Sequence, residues 1–227
     1  MGTYSIGEMP PRLPDALLAQ LGGVETATIG HTRHLGFMNT TIQPLSPGQH
    51  IVGCAVTLAL PSHDSTLLHH ALGLTRPGDV IVIDRLGDER YACWGGGVTN
   101  AARQAQLAGA VIDGPCTDPS EIRSQGFALW CRGVSPITTR VADVGGTLNQ
   151  PVSCGGVVVR PGDVILADEN GIVVLDRNEV IATAEAALAR QARSAERMRA
   201  VREGARLGDL SGATALVMRS LEGDAKQ

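Results

Sequence analysis

The stretch that most constrains the fold spans residues 76–118, RPGDVIVIDRLGDERYACWGGGVTNAARQAQLAGAVIDGPCTD. Pro77-Gly78-Asp79 is a turn signal that opens a short apolar run, 80–84, as a buried strand requires. Gly95-Gly96-Gly97 then precedes a helical pattern whose apolar positions include Val98, Ala102, Ala105 and Leu107. A second apolar run, 110–112, stops at the turn residues Asp113-Gly114-Pro115. Strand, crossover helix and strand make a βαβ unit, and such crossovers are almost always right-handed. The loops leaving the carboxyl ends of the two strands then lie side by side, where open α/β sheets bind ligands. Those loops are 85–97 and 114–118, and the site is expected between them.

The rest of the chain fits an α/β domain over residues 1–176 and a C-terminal helical extension over 177–227. Residues 51–60, IVGCAVTLAL, carry no charge and read as a strand buried on both faces. Further strands are expected at 127–131, 152–159 and 164–175, the last broken by the turn Asp168-Glu169-Asn170-Gly171. Residues 26–32 have mixed β character. Helices are expected over 14–21, from Asp64 or Ser65 through Leu74, over 119–124, and as one long element over 178–203. In the third of these Pro119 takes the first helical position and Asp118 the cap. The hexapeptide RPGDVI occurs at 76–81 and again at 160–165, each time as a turn feeding a strand. The tail beyond Asp224 is expected to fray.

Composition narrows the function classes. A net charge of -4 argues against a nucleic-acid surface, and 3% aromatic residues argue against a stacking platform for single strands. No apolar run approaches the roughly 18 residues of a membrane span. The start, MGTYSIGEMPP, has no signal-peptide core, and Ile6 stands where myristoylation wants Ser or Thr. Five cysteines without a CxxC spacing suit a reduced, cytoplasmic chain better than a disulfide framework.

The segments GDVIVID, WGGGVTNAA, AGAVIDGPCTD, EIR, RGVSP and CGGVVVRPGDVILADENGIVVL resemble the RraA-like family, over about residues 13–176. That family includes the regulator of ribonuclease E activity A and the class II pyruvate aldolases that cleave 4-hydroxy-4-methyl-2-oxoglutarate. The resemblance implies a swivelling β/β/α fold and assembly as a homotrimer or hexamer with sites between subunits. It implies a small 2-oxo acid substrate and a divalent cation, Mg²⁺ or Mn²⁺. Carried over residue by residue, Gly95, Gly96, Gly97 and Val98 form the substrate-binding loop and Asp118 holds the metal. The loop acid of the aldolase members falls on Gly96, and their substrate-gripping arginine falls on Thr117. Some of those relatives bring a glutamate from a neighbouring subunit's C-terminal region, for which Glu196 and Glu203 are candidates. Two readings stay open: a metal-dependent lyase, favoured by the aspartate and glycines, and a non-catalytic regulator or binding protein, favoured by the two missing side chains.

The chemistry of a lyase sets what the site must contain. Cleaving a 4-hydroxy-2-oxo acid, or decarboxylating oxaloacetate, passes through a pyruvate enolate, whose charge a Lewis acid stabilises. Mg²⁺ keeps several waters and needs only one or two protein carboxylates. Asp118 suits that task, and the plainer alternative is that it caps the helix after it. The glycines offer free amides at the positive end of a helix dipole, or simply a tight connection that needs small residues. Because Thr117 carries no charge, Arg85 is expected to take over the substrate carboxylate, with Arg90 or Arg123 in reserve; the alternative pairs Arg85 with Asp88 or Glu89. Asp84 and Asp113 are read as turn residues, and Cys93 and Cys116 as packing rather than nucleophiles. His69 and His70 are adjacent in a helical pattern and cannot chelate one ion.

Overall fold

Nine residues without a charge, Ile51–Ala59, form the strand on which the sheet is built. In the computed structural model, which describes residues 3–224, the elements begin with β1 (Tyr4–Ile6), α1 (Asp15–Leu21), α2 (Thr26–Gly30), β2 (Gln43–Pro44) and β3 (Ile51–Ala59). They continue with α3 (Thr66–Leu72), β4 (Asp79–Asp84), α4 (Gly96–Gln104), β5 (Gly109–Ile112), α5 (Pro119–Ser124) and β6 (Leu129–Cys131). The second half holds β7 (Gly146–Leu148), β8 (Val152–Cys154), β9 (Val157–Val159), β10 (Val164–Asp168) and β11 (Gly171–Leu175). Three helices follow: α6 (Val180–Arg202), α7 (Leu207–Ser211) and α8 (Ala213–Asp224).

β3, β4, β5 and β6 lie side by side and parallel, with Val56 opposite Ile81 and Ile81 opposite Ala110. β10 runs antiparallel along the first half of β3, β7 pairs with its last residues, and β11 pairs with β10. Alternation along the strands sends successive side chains to opposite faces. Val56, Leu58, Ile81, Ile83, Ala110 and Ile112 pack against Leu67, Leu68, Ala102 and Ile122 of α3, α4 and α5. Ala55, Val80, Val82 and Val111 turn the other way, onto Ile165, Ala167 and Val174 of β10 and β11 and onto Cys154 of β8. The result is a β/β/α layering. Both faces of the parallel strands are covered, so they read as unbroken apolar runs.

The repeated hexapeptide is one turn used twice. The amide of Arg76 donates to Asp79 Oδ2 at 2.9 Å, and that of Arg160 to Asp163 Oδ2 at 2.8 Å. Gly78 and Gly162 supply the positive φ of 83° and 88° that each turn needs.

Four parts differ from the sequence reading. Residues 26–30 are helical, because the Thr26 amide and hydroxyl both donate to the Asp168 carboxylate, at 2.8 and 2.6 Å. That tertiary anchor outweighs the strand preference of Thr26, Thr28 and Ile29. The region 152–159 is a hairpin rather than one strand, split at Gly155-Gly156, both with positive φ. α7 and α8 follow the long helix, and β1 pairs in parallel with β7; neither was legible.

The chain divides into two compact units, Met1–Ala184 and Glu185–Gln227. Val180 and Ala184 are buried, as the apolar stripe of the long helix requires. Among the described residues no helix is long and apolar enough to cross a membrane. The tail beyond Asp224 lies outside the described residues.

Candidate active site

Beyond the carboxyl ends of β4 and β5, three loop segments are laced together. The Thr117 amide donates to Trp94 O at 2.8 Å, the Cys116 amide to Gly133 O at 2.9 Å, and the Ala92 amide to Ile137 O at 2.8 Å. Trp94 is wholly buried and stacks on Phe127, with ring centroids 5.6 Å apart. Its indole N–H donates to Thr99 Oγ1 at 2.9 Å, and that hydroxyl donates in turn to Gly95 O at 2.9 Å. These bonds fix where α4 begins. Asp84 and Asp113, at the two strand ends, accept main-chain amides from Leu86 at 2.7 Å and Gly155 at 2.8 Å.

Asp118 sits in the left-handed region, φ 52° and ψ 45°, and makes no side-chain bond to the start of α5. Its Oδ2 accepts the Gly96 amide at 3.1 Å instead. Aspartate is among the few side chains that visit this backbone region at low cost. The expected cap of the Pro119 helix is therefore absent: Asp118 has the cap position, but its carboxylate serves the neighbouring helix.

Close approach requires a glycine at two of the three positions, 95 and 96. A Cβ at Gly95 would lie 2.6 Å from Asp118 Oδ2 and 2.7 Å from Thr117 Cγ2. A Cβ at Gly96 would fall on the carboxylate of Glu121. Gly97 faces open space. In the first turn of α4 the Gly96 amide is taken by Asp118 and the Thr99 amide by Gly95 O at 3.0 Å. The amides of Gly97 and Val98 have no acceptor among the described residues, as helix starts commonly leave them. Gly95→Ala is expected to push Asp118 off its amide and to lower turnover of any acid bound there about 10²-fold, since misplacement of about 1 Å has that effect. Steady-state kinetics beside a thermal melt checks it, and the melt should change little.

A cavity of about 780 Å³ lies between α3 and α4 and reaches Gly95, Gly97, Val98 and Thr117. Asp118 adjoins it through both Gly95 and Thr117. Cys93 lines the cavity, but burial pushes its thiol up to about 11. The contact with Cys131, 3.6 Å between sulfurs, and burial push Cys116 up as well. Neither is a ready thiolate.

Arg85 is not where the sequence reading put it. It is wholly buried, and its guanidinium donates to the carbonyls of Leu60 at 3.3 Å, Tyr91 at 3.4 Å and Ser62. Its task is to tie together the loops that follow β3 and β4, and no substrate carboxylate can reach it. Asp88 accepts the amides of Arg90 and Tyr91 rather than pairing with Arg85. Arg90 lies over the Tyr91 ring, and Arg123 donates to Leu45 O at 3.0 Å; neither lines the cavity. Glu196 lies within α6 and Glu203 just past its end, both exposed.

The structure brings forward three residues that the sequence reading left out of the site. Glu121, in the first turn of α5, comes up against the same glycine turn as Asp118: a Cβ at Gly95 would meet the Asp118 carboxylate and one at Gly96 that of Glu121. His69 and Arg140 line the cavity. Arg140 is held by a buried anchor. Its carbonyl accepts the Ser65 amide at 3.0 Å, its amide donates to His63 O at 2.9 Å, and Asp64 fixes the segment that follows. Asp64 accepts amides from Thr66 at 2.8 Å, Ala142 at 3.1 Å and Val144 at 2.8 Å. Burial opposes ionisation there, but these bonds and the Thr66 hydroxyl outweigh it and hold the Asp64 carboxyl well below the usual range.

Asp118 and Glu121 offer oxygen donors only, and among the described residues no three His, Cys, Asp or Glu side chains converge. One or two exposed carboxylates with room for water fit a hard ion such as Mg²⁺ and not zinc.

A parallel βαβ unit presenting a glycine turn and an acid at adjacent strand ends, within a β/β/α layering, defines a mixed α/β domain. Comparison with known proteins gives it a family. The RraA-like model, described as Aldolase/RraA, matches residues 15–174. The chain is 35% identical over 164 residues to a protein of Halalkalibacterium halodurans proposed by name to be a 4-hydroxy-4-methyl-2-oxoglutarate aldolase, covering 72% of this chain and 78% of that one. Among solved structures, RraAS2 of Streptomyces coelicolor, described as an unusual member of the RNase ES inhibitor RraA protein family, aligns with a TM-score of 0.75 at 28% identity. That alignment covers 83% of this chain and 99% of RraAS2. The RNA-processing inhibitor RraA of Thermus thermophilis aligns with a TM-score of 0.57 at 27% identity, over 61% of this chain and 84% of its own. The chain belongs to the RraA-like family.

Proposed function

We propose that the chain is a divalent-metal-dependent carbon–carbon lyase acting on a small 2-oxo acid, by aldol cleavage or decarboxylation. The observation that carries this reading is the Asp118 carboxylate on the Gly96 amide, next to two unclaimed amides and a cavity of about 780 Å³. The name of the Halalkalibacterium halodurans relative supports the aldolase form. The same reading takes the chain to act in the cytoplasm as a homotrimer or hexamer, as the resemblance implies.

Asp118, with Glu121 beside it, would hold Mg²⁺ or Mn²⁺, and the bound ion would supply Lewis-acid stabilisation of charge developing on the 2-oxo oxygen. The Gly97 and Val98 amides bind and orient the substrate carboxylate at the positive end of α4. The Gly96 amide holds the Asp118 carboxylate in place before substrate arrives, so little reorganisation is left for the reaction itself. Thr117 lends a hydroxyl at the cavity wall rather than a charge.

The test is pyruvate release from oxaloacetate and from 4-hydroxy-4-methyl-2-oxoglutarate, with Mg²⁺, after EDTA, and after Mg²⁺ is restored. The expected record is release, loss to background and recovery. Release that ignores EDTA refutes the metal role. No release from either acid turns the reading to a regulator acting through protein contacts, for which the names of the two structural relatives speak.

A further inference from the structure

The cavity beside the glycine turn changes character along its length. β3, β4 and β5 run parallel, so the crossover helices α3 and α4 return in the same direction with their amino ends together. Ser65, His69 and Leu72 recur on one face of α3. Val98, Ala101 and Ala105 recur on the facing stripe of α4. Arg140 joins at the amino end, because its carbonyl holds the Ser65 amide. That end therefore collects a guanidinium, two unclaimed amides and the hydroxyls of Thr117, Thr138 and Thr139, with the His69 imidazole further along α3. The other end presents Leu72, Gly73, Ala101 and Ala105, with only the uncharged Thr75 and Gln104 as polar company. Among the described residues no acid lines the cavity, and Asp118 only adjoins it. A volume of about 780 Å³ falls in the range that holds drug-sized ligands, far more than a four-carbon acid fills.

We propose that the site takes an amphiphilic 2-oxo acid, its anionic head on the Gly97 and Val98 amides and Arg140, its apolar substituent along Leu72, Ala101 and Ala105. Which end enters at the glycine turn rests on the 2-oxo acid reading above. Arg140 supplies the positive charge that Thr117 lacks and that the buried Arg85 cannot give. The apolar half makes the length of the substituent the determinant of specificity.

The experiment uses inert straight-chain 2-oxo acids, from pyruvate to 2-oxooctanoate, titrated into the full chain with Mg²⁺ present and followed by calorimetry. Affinity is expected to rise roughly three- to fourfold for each methylene that enters the apolar half. Ala101→Asp should flatten that slope, and Ala105→Asp serves if the first variant does not fold. Arg140→Ala should weaken every member of the series by the same factor, about tenfold, and Arg140→Lys should recover part of it. A flat series, or Arg140→Ala without effect, overturns the proposal. These ligands need no turnover, so the two readings fail separately. A graded series in a chain that releases no pyruvate sinks the lyase reading alone, and pyruvate release with a flat series sinks the amphiphile alone.

Discussion

Asp118→Asn is expected to lower kcat/KM for pyruvate release by about 10²–10³-fold while leaving the thermal midpoint unchanged. Asparagine tolerates the left-handed backbone at this position, and its side-chain carbonyl can still accept the Gly96 amide. The substitution therefore removes a charge and little else. A Lewis acid is worth several kcal/mol of charge stabilisation, and each 1.36 kcal/mol is a factor of ten in rate. Losing the carboxylate that anchors it should forfeit a large part of that. Asp118→Ala should be worse, because the Gly96 amide then loses its partner too. Turnover that survives Asp118→Asn would remove this residue from the chemistry. The kinetic comparison is made at saturating Mg²⁺, so that weaker binding alone does not mimic a slower step.

The second large effect falls on stability and comes from outside the site. Asp64→Ala removes a buried carboxylate and takes the acceptor from the part-buried amides of Thr66 and Val144, while the Ala142 amide keeps only the Thr66 hydroxyl at 3.2 Å. Unsatisfied buried groups of this kind cost about 1–3 kcal/mol, more where a charge was the partner. A loss of about 3 kcal/mol would lower the midpoint by about 6–12 °C in a domain of this size. The pH dependence follows from the sign of the shift. The folded carboxyl titrates below its unfolded value of about 3.9, so its stabilising effect is fully present above about pH 4. It fades as the pH falls from there towards the depressed folded value. Melting curves of the natural chain and the variant should therefore differ most above pH 4 and converge in acid. A gap that stays constant through the acid range would mean that ionised Asp64 does not hold this segment. The same substitution should loosen Arg140, which the Asp64 segment positions against α3.

How far the sequence could be read depended on whether the deciding contacts were local. The strand at Asp79–Asp84, the start of α4 behind Gly95 and the strand at Gly109–Ile112 are set by turn residues and apolar runs within a few positions, and all three lie as read. Asp118 facing the glycine turn follows from two parallel strand ends, a rule of topology rather than of composition. Arg85 could not be placed in the same way. What holds it is a set of carbonyls from the loop after β3 and from further along its own loop, and no local pattern announces them. α2 was missed because a carboxylate 142 positions away fixes its first turn. Residues 134–140 form no regular element, so nothing in the sequence pointed Arg140 at α3. Glu121 was within reach: it is a second acid in the first turn of the helix that opens at Asp118. The glycine at position 96, read as a missing acid, leaves the space into which Glu121 turns its carboxylate.

Mn²⁺ binding tests the central claim most directly, because it needs no substrate and no assumption about the reaction. Titrated into the full chain and followed by the loss of the free-ion paramagnetic signal, Mn²⁺ is expected to saturate one site per chain, to be displaced by Mg²⁺, and to lose that site in Asp118→Asn. A chain that binds no Mn²⁺, or an Asp118→Asn variant that binds it as tightly as the natural chain, would contradict an ion held at this turn.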